Sequence, residues 1–208
     1  MNTIKKIVVF SLIIFSASAS NAQNGMREPI NYSLKNGMKI IVSENQKSQG
    51  AFSSFTLDTR AFQNKKDGIV ELLNATLNER ASKNDQILFK DNSGRLATNN
   101  AQLEKGLTEM ASIIQHTDIN QKAFDSGKAT LLASLKKQDY DYDQTVNENT
   151  INAISLADLR AFYNEISPEK TFLTVAGNVE MNTAKAAVKK AFGNWKKANK
   201  EEISSIAK

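Results

Sequence analysis

The residues from Lys170 to Val179, KTFLTVAGNV, constrain the fold most, because they give the clearest signal of a buried strand and lie late in the chain. A short run rich in β-branched and aromatic residues, stopped by Gly177-Asn178, is typical of a buried strand. The other clear strand signals lie much earlier in the sequence, and helical patterns separate them from this run. The chain therefore alternates between the two kinds of periodicity.

Three earlier segments have the alternation of strands. The segment Asn31 to Val42, NYSLKNGMKIIV, predicts two strands joined by a tight hairpin at Asn36-Gly37, where both turn residues would adopt a positive φ. The segment Ala51 to Leu57, AFSSFTL, continues the same alternation. A broken, polar stretch from Ser82 to Asn100 contains one further short strand at Gln86–Lys90.

Helical spacing of apolar residues predicts five helices. They are a helix that follows an Asp67 N-cap and carries Ile69 to Leu77, then Ala101–His116, Asn120–Lys137 with an Asp118 or Asn120 cap, Ser155–Glu165 with Ser155 and Asp158 as a capping box, and Thr183–Lys196. The order of elements predicts an α+β fold, in which helices pack on one face of an antiparallel-rich mixed sheet.

The first 22 residues have the three parts of a secretory signal peptide. Lys5 and Lys6 precede the apolar run Ile7–Phe15, and Ser20 and Ala22 supply the small residues that a signal peptidase requires. The apolar run is about nine residues long, whereas a membrane-spanning helix needs roughly 20. We therefore expect residues 1–22 to be removed, leaving residues 23–208 as a single exported domain without a stable membrane anchor.

Composition narrows the class of protein further. The chain has no cysteine, so it relies on packing instead of disulfides, which suits a bacterial envelope. The formal net charge of +5 includes Lys5 and Lys6, so residues 23–208 carry +3. Basic residues are interspersed with acidic ones, without an arginine-rich stripe, and nucleic-acid binding is not expected.

Four segments, in this order, resemble the insulinase/pitrilysin family of zinc metallopeptidases. INYSLKNGMKIIVSENQ resembles the opening hairpin of that family, and KKDGIVELLNATLNERA resembles its first long helix. NAISLADLRAFYNEISPEKTFLTVAGNV is similar to a late helix and core strand, and AKAAVKKAFGNWKK to the closing helix. The resemblance implies a single peptidase half-module whose middle, about residues 84–144, is shortened.

The family's catalysis depends on a His-x-x-Glu-His motif on the first long helix, in which two histidines bind zinc and the glutamate is the general base. In this chain the matching positions are Glu71, Asn74 and Ala75. Asn74 cannot accept a proton, and Ala75 has no donor atom. The sequence contains only one histidine, so no two-histidine zinc site can form. We expect no catalytic residues, no metal and no cofactor.

Other possible sites are weaker. Glu71, Glu79 and His116 lack the spacing of a metal site, and the two glutamates are expected to face solvent. His116 is expected at a helix C-terminus, where it satisfies backbone carbonyls. Asp139, Asp141 and Asp143 alternate as calcium ligands do. However, Gln144 and Thr150 replace the glycine and glutamate of an EF-hand, which favours a solvated loop.

The resemblance implies a catalytically inactive relative that pairs with an active zinc-peptidase subunit, or with a second copy of itself, in the bacterial periplasm or outside the cell. Such a protein would provide a wall of a peptide chamber, or a strand edge to which an extended peptide adds. A zinc endopeptidase with an unrecognised site is the first alternative, and a degenerate remnant without a partner is the second.

Overall fold

The computed structural model describes residues 27–63, 65–137 and 141–196. The predicted signal peptide, residues 1–22, and Asp139 lie outside the described residues. No helix among those described is long and apolar enough to cross a membrane.

Six strands form one mixed sheet in the order β1-β2-β6-β3-β5-β4. They are β1 (Ile30–Ser33), β2 (Lys39–Glu44), β3 (Ala51–Leu57), β4 (Ile87–Lys90), β5 (Ser93–Thr98) and β6 (Thr171–Gly177). The late strand β6 lies in the middle of the sheet, parallel to β2 and antiparallel to β3, and the other pairs are antiparallel. The run from Lys170 to Val179 is thus the central strand that joins the two halves of the sheet.

The helices in the described ranges are α1 (Ile69–Ala81), α2 (Leu103–His116), α3 (Gln121–Lys137), α4 (Glu148–Asn152), α5 (Leu156–Glu165) and α6 (Met181–Phe192). Helices α1, α2 and α6 contact the sheet, and α3 packs on α1. Ser155 and Asp158 form the predicted capping box of α5, and Asn120 caps α3 through the Ala123 N–H.

One face of the sheet is buried beneath the helices. In β6, Leu173 and Val175 are fully buried, whereas Phe172 and Thr174, which alternate with them, are only half-buried. In β3, Phe55 is buried and Phe52 on the opposite face is 49% exposed. The alternation confirms the predicted α+β fold with helices on one face of a mixed, antiparallel-rich sheet.

The first turn differs from the predicted hairpin. Gly37 has a positive φ of 92°, but Asn36 does not, so only one turn residue is left-handed. Asn36 is instead buried, and its amide donates to the carbonyl oxygens of Phe192 and Trp195 at 2.8 and 3.1 Å. The two bonds satisfy carbonyl groups at and beyond the end of α6. This helix ends at Phe192 and not at the predicted Lys196.

The start of α1 also differs from the prediction. Its N-cap is Gly68, with φ of 81°, and Asp67 precedes the cap without a capping role. A Cβ at residue 68 would lie 2.3 Å from Cδ1 of Ile151 on α4. Close packing against α4 and the left-handed backbone both require glycine at this position.

Two elements were not predicted. The strand β5 contains Gly94, a poor strand former, and the helix α4 spans only five residues. Pairing with β3 and β4 supplies the missing stability for β5. The helix α4 is held by a capping box between Asn147 and Thr150 and by the fully buried Ile151.

Candidate functional site

A cleft with a volume of about 720 Å³ lies between α1, α3 and β4. All three positions that the resemblance assigns to the zinc motif, Glu71, Asn74 and Ala75, contribute to its wall. They share this wall because the spacing of three and four residues places them on one side of α1. The facing walls include Leu88 of β4 and Leu131 of α3.

Glu71 is half-buried in the cleft, so the expectation that it faces solvent was wrong. Burial raises the pKa of its carboxyl group, and the neighbouring Asp91 and Asp143 raise it further, against the effect of Lys65. The raised pKa follows mainly from the loss of water around the carboxyl group, because desolvation disfavours its charged form. Glu71 is therefore a partly desolvated acid in the wall of the cleft.

Asn74 and Asn78, one helical turn apart on α1, bind the backbone of β4 and its turn. The Asn74 amide donates to the carbonyl of Asp91 at 2.6 Å, where the chain has a positive φ of 55°. The Asn78 amide donates to the Phe89 carbonyl at 2.7 Å, and its oxygen accepts from the Phe89 N–H at 2.7 Å. Both asparagines thus attach α1 to the edge strand.

The Asn78 contact closes the outer edge of β4. The Ala97 N–H donates to the Gln86 carbonyl, so these two residues form a hydrogen-bonded pair of the β4–β5 ladder. Hydrogen-bonded and non-hydrogen-bonded pairs alternate along an antiparallel ladder. Phe89, three residues after Gln86, therefore directs its N–H and carbonyl away from β5. Those outward groups are the ones that Asn78 binds. An extended peptide could not pair with Phe89 without displacing the Asn78 amide.

The donor atoms at these positions do not fit the zinc ion that the fold implies. A catalytic zinc site requires three protein ligands, commonly histidine nitrogen and carboxylate oxygen. Glu71 offers a carboxylate, whereas the Asn74 amide is bound to Asp91 and Ala75 ends in a methyl group. The described residues contain no group of three or more metal-binding side chains.

The remaining candidates are separated in the structure. Glu79 also lines the cleft, is exposed, and accepts a hydrogen bond from Ser126 at 2.7 Å. His116 is the last residue of α2, as predicted, and is exposed outside the cleft. Asp141 and Asp143 are exposed residues of the cleft rim, next to Tyr142, whose hydroxyl lies 2.8 Å from that of Ser134.

The role of Asn78 was not predicted. Its signal was visible, since Asn74 and Asn78 form an Asn-x-x-x-Asn pair beside the apolar face of α1. Residues four apart on a helix point the same way, so two amides there indicate a shared polar partner. The identity of that partner, the backbone of β4, depends on tertiary packing.

Comparison with protein-family models and with curated proteins gives no match. Solved structures do match. A protease from Helicobacter pylori has a TM-score of 0.69 at 14% identity and covers 84% of this chain and 52% of its own. The periplasmic protease PqqL from Escherichia coli has a TM-score of 0.68 at 11% identity, covering 84% of this chain and 24% of its own.

A third match is a predicted insulinase family protease from Yersinia pestis, with a TM-score of 0.57 at 14% identity, covering 83% of this chain and 47% of its own. The chain thus spans about half the length of two of these proteins and about a quarter of PqqL. At these identities the likeness shows the fold. This chain has the α+β half-module fold of insulinase-family peptidases and carries no zinc motif.

Proposed function

We propose that this chain is a non-catalytic, insulinase-like protein that binds extended peptide in the cleft between α1, α3 and β4. It would do so beside an active zinc-peptidase subunit in the bacterial envelope. The observation that carries the proposal is the persistence of a cleft of about 720 Å³ where Asn74 and Ala75 replace catalytic side chains. That volume falls within the range of roughly 300–1,000 Å³ that is usual for ligand sites.

The lining of the cleft suits a peptide. Val70, Leu88 and Leu131 supply apolar surface, and Leu88 is 51% exposed. Lys65 and Asp143 supply charges of both signs at the wall. Since Asn78 occupies the outward groups of Phe89, peptide would bind through side-chain contacts with the cleft walls, and not by adding a strand at that residue.

Peptide binding can be tested with a variant that fills the cleft. Ala75→Phe places a ring in the cleft, and Ala186→Phe makes the same change at an exposed position of α6. We expect fluorescently labelled random decapeptides to bind the unmodified chain and the Ala186→Phe variant. Ala75→Phe should weaken binding about tenfold or more. Equal binding by both variants, with unchanged circular dichroism, would place the peptide elsewhere.

The absence of catalysis is tested separately. Residues 23–208 are purified, zinc is measured by mass spectrometry, and hydrolysis of the same decapeptides is followed by chromatography. We expect neither bound zinc nor cleavage. Stoichiometric zinc that is lost in Glu71→Ala, together with cleavage, would instead support a zinc endopeptidase with an unusual site.

The proposed partner has a recognisable chemistry. Affinity capture from an envelope extract of the source organism should recover a peptidase that carries His-x-x-Glu-His. Capture should fail with a chain denatured beforehand. Recovery of no such peptidase by the native chain would contradict the subunit proposal, while leaving the peptide-binding result to stand on its own.

A further inference from the structure

The two outer edges of the sheet differ in how their backbone groups are used. At the β4 edge, Asn78 binds both outward groups of Phe89, and the Ile87 N–H donates to the Asn84 carbonyl at 3.2 Å. An edge strand whose outward backbone groups are already hydrogen-bonded does not readily pair with another strand. The β4 edge is therefore closed by the chain's own residues.

At the β1 edge, the described residues leave the outward backbone groups without partners. The Leu34 N–H donates to the Met38 carbonyl at 2.9 Å, so these residues form a hydrogen-bonded pair. Every second residue of β1 before Leu34 is therefore also hydrogen-bonded to β2. Ile30 and Tyr32 accordingly pair towards β2, whereas Asn31 and Ser33 direct their N–H and carbonyl groups away from the sheet. Within residues 27–63, 65–137 and 141–196, no hydrogen bond to these outward groups is present.

We propose that β1 binds β1 of a second copy of this chain, antiparallel, about a two-fold axis at Tyr32. In this register Asn31 of each copy faces Ser33 of the other, and each such pair exchanges two backbone hydrogen bonds. An arrangement in which residue 31 meets 33 and 33 meets 31 is self-complementary, as a two-fold interface requires. The outward groups of β1 have the spacing for this pairing.

The side chains of β1 fit the same register. Ile30, Tyr32 and Leu34 alternate with Asn31 and Ser33, so they share the helix-side face. Across the axis, Tyr32 would face its counterpart and Ile30 would face Leu34 of the second copy. Ile30 is 40% exposed and Leu34 is half-buried, so the contact would cover apolar surface that is open in one chain.

The ends of β1 limit the pairing. Pro29 has no N–H and would lie opposite Lys35 of the second copy, so the ladder stops at Asn31 and Ser33. The Lys185 Nζ lies 5.6 Å from the centroid of the Tyr32 ring, and Tyr32 is at the proposed axis. The ammonium groups of the two copies would therefore repel each other and weaken the association. Because the β4 edge is closed, the product is a weak, closed dimer and not a growing fibre. This inference is independent of peptide binding in the cleft.

The test is sedimentation velocity of residues 23–208, which retain every described residue, from about 1 to about 500 µM. We expect a monomer–dimer equilibrium in the unmodified chain. Ser33→Pro removes an outward N–H without removing a bond of the β1–β2 ladder, and Ile30→Lys puts a charge into the contact. Each should raise the dimer dissociation constant about tenfold or more.

Leu88→Lys is the matched control, because Leu88 is 51% exposed on the closed edge strand. It should leave the dimer unchanged. A chain that stays monomeric throughout the concentration range, or a dimer that Ile30→Lys leaves intact, would overturn the proposal. Circular dichroism reports whether Ser33→Pro still folds, and Ile30→Lys decides the outcome if it does not.

Discussion

At the scale of single residues, Asn78 illustrates how a polar side chain can serve as a substitute strand. Its amide presents one donor and one acceptor to Phe89, as a backbone peptide group of a neighbouring strand would. Phe89 is 3% exposed, so its backbone groups have little access to water if the amide is removed. Buried backbone groups without partners are costly.

We predict that Asn78→Ala lowers the free energy of unfolding by about 1–3 kcal/mol, because it leaves the Phe89 N–H and carbonyl without partners. Urea unfolding measures the loss, and hydrogen exchange should show faster exchange of the Phe89 amide. Asn182→Ala, at an exposed position of α6, is the control and should change stability by less than about 0.5 kcal/mol. An unaltered Phe89 exchange rate would contradict this role.

The raised pKa of Glu71 predicts a dependence of stability on pH. The carboxyl of the folded chain holds its proton to higher pH than that of the unfolded chain, because burial disfavours the charged form. This contribution is fully present below the unfolded pKa and is lost as pH rises through the folded pKa. Glu71→Gln should therefore be more stable than the unmodified chain at about pH 8 and equally stable at about pH 3.

The comparison requires urea unfolding of both proteins at each pH. A stability difference of the same size and sign at both values would show that the change acts through packing instead of titration. A less stable Glu71→Gln at the higher pH would show that the charged carboxylate has a favourable partner, contrary to the desolvation argument.

At the scale of elements, the contact between α1 and α3 depends on Gly127. A Cβ at this position would lie 2.5 Å from Oγ1 of Thr76 and 3.1 Å from the Thr76 backbone nitrogen. The Thr76 hydroxyl is itself bound to the Leu72 carbonyl at 2.9 Å. Neither helix can yield without moving backbone, so this glycine sets the distance between α1 and α3 and thereby the width of the cleft.

We predict that Gly127→Ala destabilises the chain by about 1–3 kcal/mol, although alanine favours a helix over glycine by about 1 kcal/mol. Gly106→Ala on α2 is the control, because the nearest atoms to a Cβ there belong to the side chain of Leu96, with its methyl carbons at 2.8 and 2.9 Å, and not to backbone. Urea unfolding should rank Gly127→Ala below Gly106→Ala. The opposite order would mean that the two helices can separate cheaply.

Short elements show where local sequence signals are insufficient. The helix α4 and the strand β5 were missed, whereas the longer α1, α2 and α3 were predicted within a few residues of their ends. The longer helices repeat their apolar spacing over several turns, and repetition makes a pattern recognisable. In contrast, β5 contains only two buried positions, Gly94 and Leu96, and depends on its neighbours.

At the scale of the whole molecule, the two faces of the sheet have different roles. Phe192 is fully buried on the helix side, where its ring stacks on Phe55 with centroids 6.4 Å apart. Phe52 of β3 is 49% exposed on the other face. Phenylalanines on the two faces therefore differ in how much apolar surface they remove from water.

We predict that Phe192→Ala lowers the free energy of unfolding by about 3–5 kcal/mol, whereas Phe52→Ala lowers it by about 1 kcal/mol. The same urea titration measures both. Comparable losses would mean that the exposed face is covered in solution. Repeating the titration at several protein concentrations would then show whether another molecule of the chain covers it.

The sequence by itself determined the class of fold and the chemistry that the cleft cannot perform. Alternation in Ala51–Leu57 and the run of β-branched and aromatic residues around Val175 predicted strands, because both patterns are local. A single histidine, with Asn74 and Ala75 in the matched positions, excluded a two-histidine zinc site, because ligand identity is a property of residues alone.

Tertiary structure alone decided how those residues are used. Glu71 is half-buried by residues that are distant in sequence. The bond from Asn74 to Asp91 and the bonds from Asn78 to Phe89 likewise connect α1 to a later part of the chain. No local pattern specifies these contacts, since each depends on where α1, α3 and β4 pack. Among the described residues, the same packing leaves β1 as the uncovered edge of the sheet, because α1 packs against β4 on the other side.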